Sequence, residues 1–185
     1  MNYRRLVARC QKGDRKAQRQ LYDLFKQRLM GICVRYARER AEAEDIFHEA
    51  LVKVFEKIGS LNNPQALPGW IRQIVINTAV NQYRANLKLL HHDETVLLQE
   101  SSEEYITILD KLSNDELLAQ ISMLPEGYRV VFNLYVVDGY THPQIADLLG
   151  ISVGTSKSQL HAAKKMLRTH LKTLGITRYE QSTGR

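Results

Sequence analysis

The sequence predicts an all-α protein: two small helical domains joined by an acidic linker, the C-terminal one containing a helix-turn-helix. Three observations predict this. Apolar residues recur at steps of three and four along most of the chain, and the breaks between periodic stretches are rich in Gly, Pro and Asn. The charge also changes sign twice: residues 1–90 carry a net +9, residues 91–124 a net −7 and residues 125–185 a net +4. Two basic blocks therefore flank an acidic one. The one stretch that resembles a strand, Val130 to Val137, lies among helical neighbours and is assigned to helix.

From Tyr3 to Arg40, Leu21, Leu24, Phe25, Leu29, Ile32, Cys33 and Tyr36 keep helical spacing among Arg, Lys and Gln, which predicts two or three amphipathic helices. Gly13-Asp14 marks the first break, with Asp14 as an N-cap. The next helix, Ala41 to Ile58, places Ala43, Ile46, Phe47, Ala50, Leu51, Val54, Phe55 and Ile58 on one stripe. Residues 59–69 contain Pro64, Pro68, Gly59, Gly69, Asn62 and Asn63, so a loop follows. Trp70 is expected to open a helix reaching about Lys88 and burying Trp70, Ile71, Ile74, Val75 and Thr78. The first domain thus spans residues 1–88, the acidic linker 89–112, the second domain 113–174 and a frayed tail 175–185. Within the second domain helices are expected at Asn114 to Met123, Glu126 to Val137, Thr141 to Leu149 and Ser152 to Leu174.

A net charge of +6 and a pI near 9.3 favour a polyanionic partner. Cys10 and Cys33 lack metal-type spacing and read as reduced core thiols of a cytosolic protein. No apolar stretch approaches the roughly 20 residues that span a bilayer, and the basic N-terminus has no signal-type segment after it. A cytoplasmic protein without membrane insertion is expected. His91-His92-Asp93-Glu94 and His48-Glu49 are the only clusters suggesting metal or acid–base chemistry, and neither has a second ligand set or a glycine-rich phosphate loop. No catalytic residue, metal or cofactor is expected.

Thr141 and Gln144 form a capping-box pattern, with Pro143 in the first turn. Ile145, Ala146, Leu148 and Leu149 then point inward, Gly150 supplies a left-handed turn, and Ser152 caps the next helix. In that helix Val153, Ser156, Leu160, Ala163, Leu167, Leu171 and Leu174 share a stripe. Thr155, Lys157, Ser158, Gln159, His161, Lys164, Lys165 and Arg168 lie off it and suit a DNA major groove: polar groups for base edges, cations for phosphates. The alternative is a plain helical hairpin with a solvated charged side. Ser156 stands where a helix-turn-helix usually buries an aliphatic residue.

Two faces of the first domain invite partners. Glu42, Asp45, Glu49, Lys53 and Glu56 form a mostly acidic ridge, which reads as a docking face for a basic protein or as a solvated face with a Glu49–Lys53 pair worth ~0.3 kcal/mol. Gln73, Asn77, Asn81, Arg84 and Lys88 line another face, amides first and cations after. That order suits melted single-stranded DNA, through base edges and then phosphates, with an ordinary polar surface as the alternative. Trp70 can be read as a stacking platform, but beside Ile71 and Ile74 it is assigned to the core.

Several runs closely resemble region four of the extracytoplasmic-function (ECF) sigma factors, in the sigma-70 superfamily: Leu124-Pro125-Glu126-Gly127-Tyr128-Arg129-Val130-Val131-Phe132, Gly139-Tyr140-Thr141, Gln144-Ile145-Ala146, Leu149-Gly150-Ile151-Ser152 and Gly154-Thr155-Ser156-Lys157-Ser158-Gln159-Leu160. Glu44-Asp45-Ile46-Phe47-His48-Glu49, with Trp70-Ile71, Ile74, Asn77, Ala79 and Arg84, resembles region two of the same family. The sequence departs from the family at Gln144 (usually Glu), His48 (usually Gln), Leu51 (often Phe) and Asn81 (often Asp), and in a thinner basic run after Arg84.

The resemblance implies a factor that binds core RNA polymerase at its beta-prime clamp and beta flap, directs it to promoters and helps melt the minus-ten element. It implies polymerase contacts on Glu42, Asp45, Glu49 and Glu56, led by Asp45 and Glu49. Asn77 and the loop 59–69 would capture a flipped base of the non-template strand, and the helix-turn-helix would bind the minus-thirty-five element as duplex. The acidic linker would thread through the polymerase, where the alternative is a flexible tether. An anti-sigma factor is a further implied partner. The competing class is a regulator that binds duplex DNA by itself, with the first domain as sensor or dimerisation module. A module that only sequesters another factor has no need of two nucleic-acid faces.

Overall fold

The first break in the N-terminal half falls where a glycine and a capping aspartate place it. A computed structural model describes residues 3–90 and 119–173 and divides the chain into two units, Met1–His92 and Asp93–Arg185. The expected linker from residue 91 onward, the start of the Asn114 helix and the tail lie outside the described residues.

Helix α1 (Arg4–Gln11) stops at Lys12-Gly13, where Gly13 adopts φ +75°, a left-handed conformation that costs glycine little. Asp14 accepts the backbone N–H groups of Lys16 and Ala17 and so caps α2 (Arg15–Tyr36). Arg9 pairs with this carboxylate at 2.8 Å and, with the capped N–H groups, holds its pKa below the usual range. Helix α3 (Arg40–Lys57) leads into two 3₁₀ turns, Ile58–Ser60 and Pro64–Ala66, and then into α4 (Leu67–Leu90). Helix α4 therefore starts three residues before Trp70, because Pro68 fits the first helical turn, where its missing N–H is no loss.

Helices α2, α3 and α4 pack pairwise around Leu21, Phe25, Ile46, Val54, Leu67, Ile71, Ile76 and Val80, all buried. Each such side chain contributes about 1.5–3 kcal/mol of burial. The buried stripe of α4 runs through Leu67, Ile71, Val75, Ile76, Thr78 and Ala79, which corrects two expectations: Trp70 and Ile74 lie at its edge, only half-buried. Leu67, one turn before Ile71, is fully buried and begins the stripe. Phe55 is likewise half-buried. Cys10 and Cys33 are buried free thiols, and burial pushes Cys33 up to about 12, so it is inert at neutral pH.

In the second unit, residues 119–122 are helical, α5 (Glu126–Phe132) follows, and the backbone continues as a π-helical turn through Asn133–Val137. The strand-like stretch is thus helical. Helix α6 (His142–Leu149) and α7 (Val153–Thr173) complete the unit, α7 packing on both α5 and α6 around Phe132, Leu134, Ile145 and Leu167. Thr141 and Gln144 make the full capping box, and Gly150 turns the chain at φ +70°. Ser152 caps α7 by accepting the Thr155 N–H at 2.9 Å. Against expectation, Leu148 is half-buried and Val153 is 40% exposed, while Ala162 is buried. Arg129, buried against the same core, donates to the Ser122 carbonyl at 3.3 Å and ties α5 to the preceding turn. No strand occurs among the described residues, and none of their helices is long and apolar enough to cross a membrane.

Candidate nucleic-acid interface

The acidic ridge divides into an inner and an outer edge. Glu42 is half-buried: one oxygen accepts the Arg38 backbone N–H at 2.6 Å and the other the Asn86 amide at 3.1 Å, fastening the start of α3 to α4. Lys53 donates to Glu49 at 2.6 Å and reaches Thr78 of α4 at 3.4 Å. Asp45, Glu49 and Glu56 are exposed, so three of the four expected carboxylates face solvent. Val52, 56% exposed, sits on the same face within one or two turns of all three. Sequence reading passed over it, although an apolar residue off the stripe was the available signal.

On α4, Gln73, Asn77, Asn81 and Arg84 fall within an arc of about 80° at 100° per residue, and Trp70 falls in the same arc. Gln73 donates to the Asn77 Oδ1 at 3.0 Å, which leaves the Asn77 amide N–H₂ pointing away from that bond. Asn77 is half-buried, whereas Gln73, Asn81 and Arg84 are exposed. Lys88 belongs to the α4 backbone, and its side chain lies outside the description. The half-buried Trp70 thus adds an aromatic surface to the face carrying the amides, a placement that its apolar neighbours in sequence concealed.

On α7, Lys157, Ser158, His161, Lys164, Lys165 and Arg168 occupy an arc of about 120° opposite the core. Lys157, Lys165 and Arg168 are exposed, and Ser158, His161 and Lys164 are half-exposed. Thr155 and Gln159 lie on the flank. Thr155 is engaged with Ser152 at 2.8 Å, and the Gln159 Oε1 is shielded from solvent without a hydrogen bond. The six arc residues therefore form the open surface.

Behind that arc, Ser156 is fully buried and hydrogen-bonded to the Nδ1 of His142 at 2.9 Å. Tyr135 stacks on the His142 ring at 4.5 Å, and Lys164 lies over Tyr135 at 6.0 Å. Burial lowers the His142 pKa, and the positive charges of Lys157 and Lys164 lower it further. The hydroxyl at position 156 is thus satisfied, and the buried bond joins the two helices of the helix-turn-helix. Among the described residues no group of His, Cys, Asp and Glu is placed to hold a metal, and His91 to Glu94 lie outside them.

Two family models match this chain: sigma-70 region 2 over residues 21–88, and sigma-70 region 4 over residues 114–167. The chain belongs to the sigma-70 family, in its ECF group. It is similar to the ECF sigma factor SigW of Bacillus subtilis, 27% identical over 186 residues that cover 94% of this chain and 99% of SigW. It is also similar to the ECF sigma-E factor of Escherichia coli, 26% identical with coverage of 91% and 94%. Two solved structures share the fold at a TM-score of 0.50: CnrH in complex with the cytosolic domain of CnrY, 19% identical with coverage of 94% and 99%, and RpoE of Bartonella quintana in complex with the anti-sigma factor NepR, 22% identical with coverage of 83% and 96%. As a sigma factor the protein acts in promoter-directed transcription initiation by RNA polymerase. Within it, the acidic ridge and the amide face belong to the region 2 match, and the basic arc, up to Lys165, to region 4.

Proposed function

We propose that the three surfaces divide the labour of initiation. Asp45, Glu49 and Glu56 of α3, with Val52 among them, dock on a basic face of the polymerase clamp. The amide face of α4 and the turns before it take an unstacked base of the minus-ten non-template strand, Asn77 contacting its edge while Arg84 and Lys88 follow the phosphates. The arc from Lys157 to Arg168 enters the major groove at the minus-thirty-five element, with Ser158 and His161 nearest the bases and the lysines on phosphates. The acidic ridge and the amide-and-cation face of the first unit, with the basic arc of the second, suit a partner that masks the factor, and the complex of the similar RpoE with an anti-sigma factor supports that role. The factor is non-catalytic and works in the cytoplasm.

The observation that carries this reading is the pairing, within one unit, of exposed carboxylates on α3 with an amide-and-cation face on α4. A regulator that only binds duplex DNA needs neither. The test is Asn77→Ala beside Asp45→Arg. The first is expected to keep polymerase binding and lose permanganate reactivity of the melted region. The second is expected to lose polymerase binding and keep the fold. A swap of these outcomes, or full activity of both, refutes the division.

A further inference from the structure

The turns between α3 and α4 are held from outside by a residue that no sequence pattern singles out. Gln11, the last residue of α1, donates its side-chain amide to two backbone carbonyls, Ile58 at 3.0 Å and Leu61 at 3.2 Å, 47 and 50 residues away. A primary amide has two N–H donors, and here both are used. Ile58 follows the last residue of α3 and opens the first 3₁₀ turn, its carbonyl also accepting the Leu61 N–H at 3.2 Å, and Leu61 begins the crossing to the second turn. Gln11 lies before the stretch matched as region 2, which starts at residue 21.

The anchor itself is fixed. Lys12, Gly13 and Asp14 fold back through backbone bonds to Arg9 and Cys10, Asp14 pairs with Arg9, and α1 packs on both turns. On the other side, Leu61 is buried, Asn63 accepts the Gln65 N–H at 3.0 Å and Pro64 fixes the second turn. Asn62 and Asn63 are left exposed between two pinned ends.

We propose that Gln11 is a positioning residue for base capture: its amide clamps the Ile58 and Leu61 carbonyls and so presets the shape of the turn that offers Asn62 and Asn63 to the unstacked base. The inference rests on the assignment of base capture to this turn and α4. A preset turn meets the base without an ordering cost at the moment of melting. Gln11 touches no DNA in this scheme, so it governs selection at the minus-ten element and not attachment to the polymerase.

The experiment compares full-length variants in reconstituted transcription with core polymerase and a promoter library randomised at the minus-ten element. Gln11→Met keeps the length and removes both donors, Gln11→Glu sets a carboxylate against two carbonyls, and Gln11→Lys restores donors at similar reach. Expected are unchanged polymerase binding for all three and open-complex formation lowered about tenfold by Met and more by Glu, as two lost bonds imply. Altered preference at the captured base and substantial rescue by Lys are also expected. Wild-type preference in Gln11→Met, no rescue by Gln11→Lys, or loss only in step with polymerase binding overturns the proposal. Asn62→Ala and Asn77→Ala in the same library separate the two failures. If they shift the preference while Gln11→Met does not, the clamp alone is wrong; if none shifts it, base capture is misplaced as well.

Discussion

Helices α3 and α7 both display charge, but they hold it differently. On α3 the carboxylates are partly tied into their own unit: Glu42 is engaged by Arg38 and Asn86, and Glu49 by Lys53, which also reaches α4. On α7, Lys157, Lys164 and Lys165 form no ion pair with a carboxylate among the described residues. Carboxylates beside an exposed apolar neighbour, Val52, suit a protein partner of defined shape. Ammonium groups that no neighbouring carboxylate neutralises suit a polyanion whose counterions are released on binding. The contrast teaches that the two surfaces should respond differently to salt and to mutation.

The largest expected effect falls on the acidic ridge of α3. The double variant Asp45→Arg/Glu49→Arg should weaken core polymerase binding about a hundredfold, some 2.7 kcal/mol, while circular dichroism stays unchanged. Equal affinity of wild type and variant would erase the distinction. On the basic arc of α7, Lys157→Ala/Lys165→Ala should weaken duplex binding about tenfold at 0.15 M salt and flatten the slope of log affinity against log salt by about 2. An unchanged slope places these lysines away from phosphate.

Behind the basic arc, Ser156→Ala removes the partner of His142 and should cost the second unit about 1 kcal/mol of stability, read by thermal or urea unfolding of the full-length chain. Because the folded pKa of His142 lies below its ordinary value of about 6.5, the unfolded chain binds the proton first. Its contribution is therefore complete above that ordinary value and is lost as pH falls from there toward the lowered one. A melting temperature that declines below about pH 6.5 in wild type, and less steeply in His142→Gln, checks the sign. The smallest effect belongs to Lys53→Met, about 0.3–0.5 kcal/mol, since Glu49–Lys53 is a surface pair spaced i,i+4.

Local chemistry carried most of the architecture into view. Asp14, the Thr141–Gln144 box, Ser152 and Gly150 act over a few residues, and each does in the structure what its spacing implies. Trp70 and Ile74 were misplaced because their burial depends on where α4 begins, and Leu67 with Pro68 moves that point back by three residues. The faces of α3, α4 and α7 were legible as helical arcs. What stayed hidden depends on contacts between distant elements: Glu42 to Asn86, His142 to Ser156 and Gln11 to the turn after α3. No periodicity records a hydrogen bond across 14 or 47 residues.

In the proposed division of labour, polymerase docking and strand capture reside on separate faces of the first unit and together make an initiation factor. Mapping transcript starts from a promoter library with core polymerase, with and without the protein, tests it most directly. New start sites are expected only when both are present, with a minus-ten preference that shifts in Asn77→Ala. A protein that retards free duplex DNA yet adds no start site would contradict it.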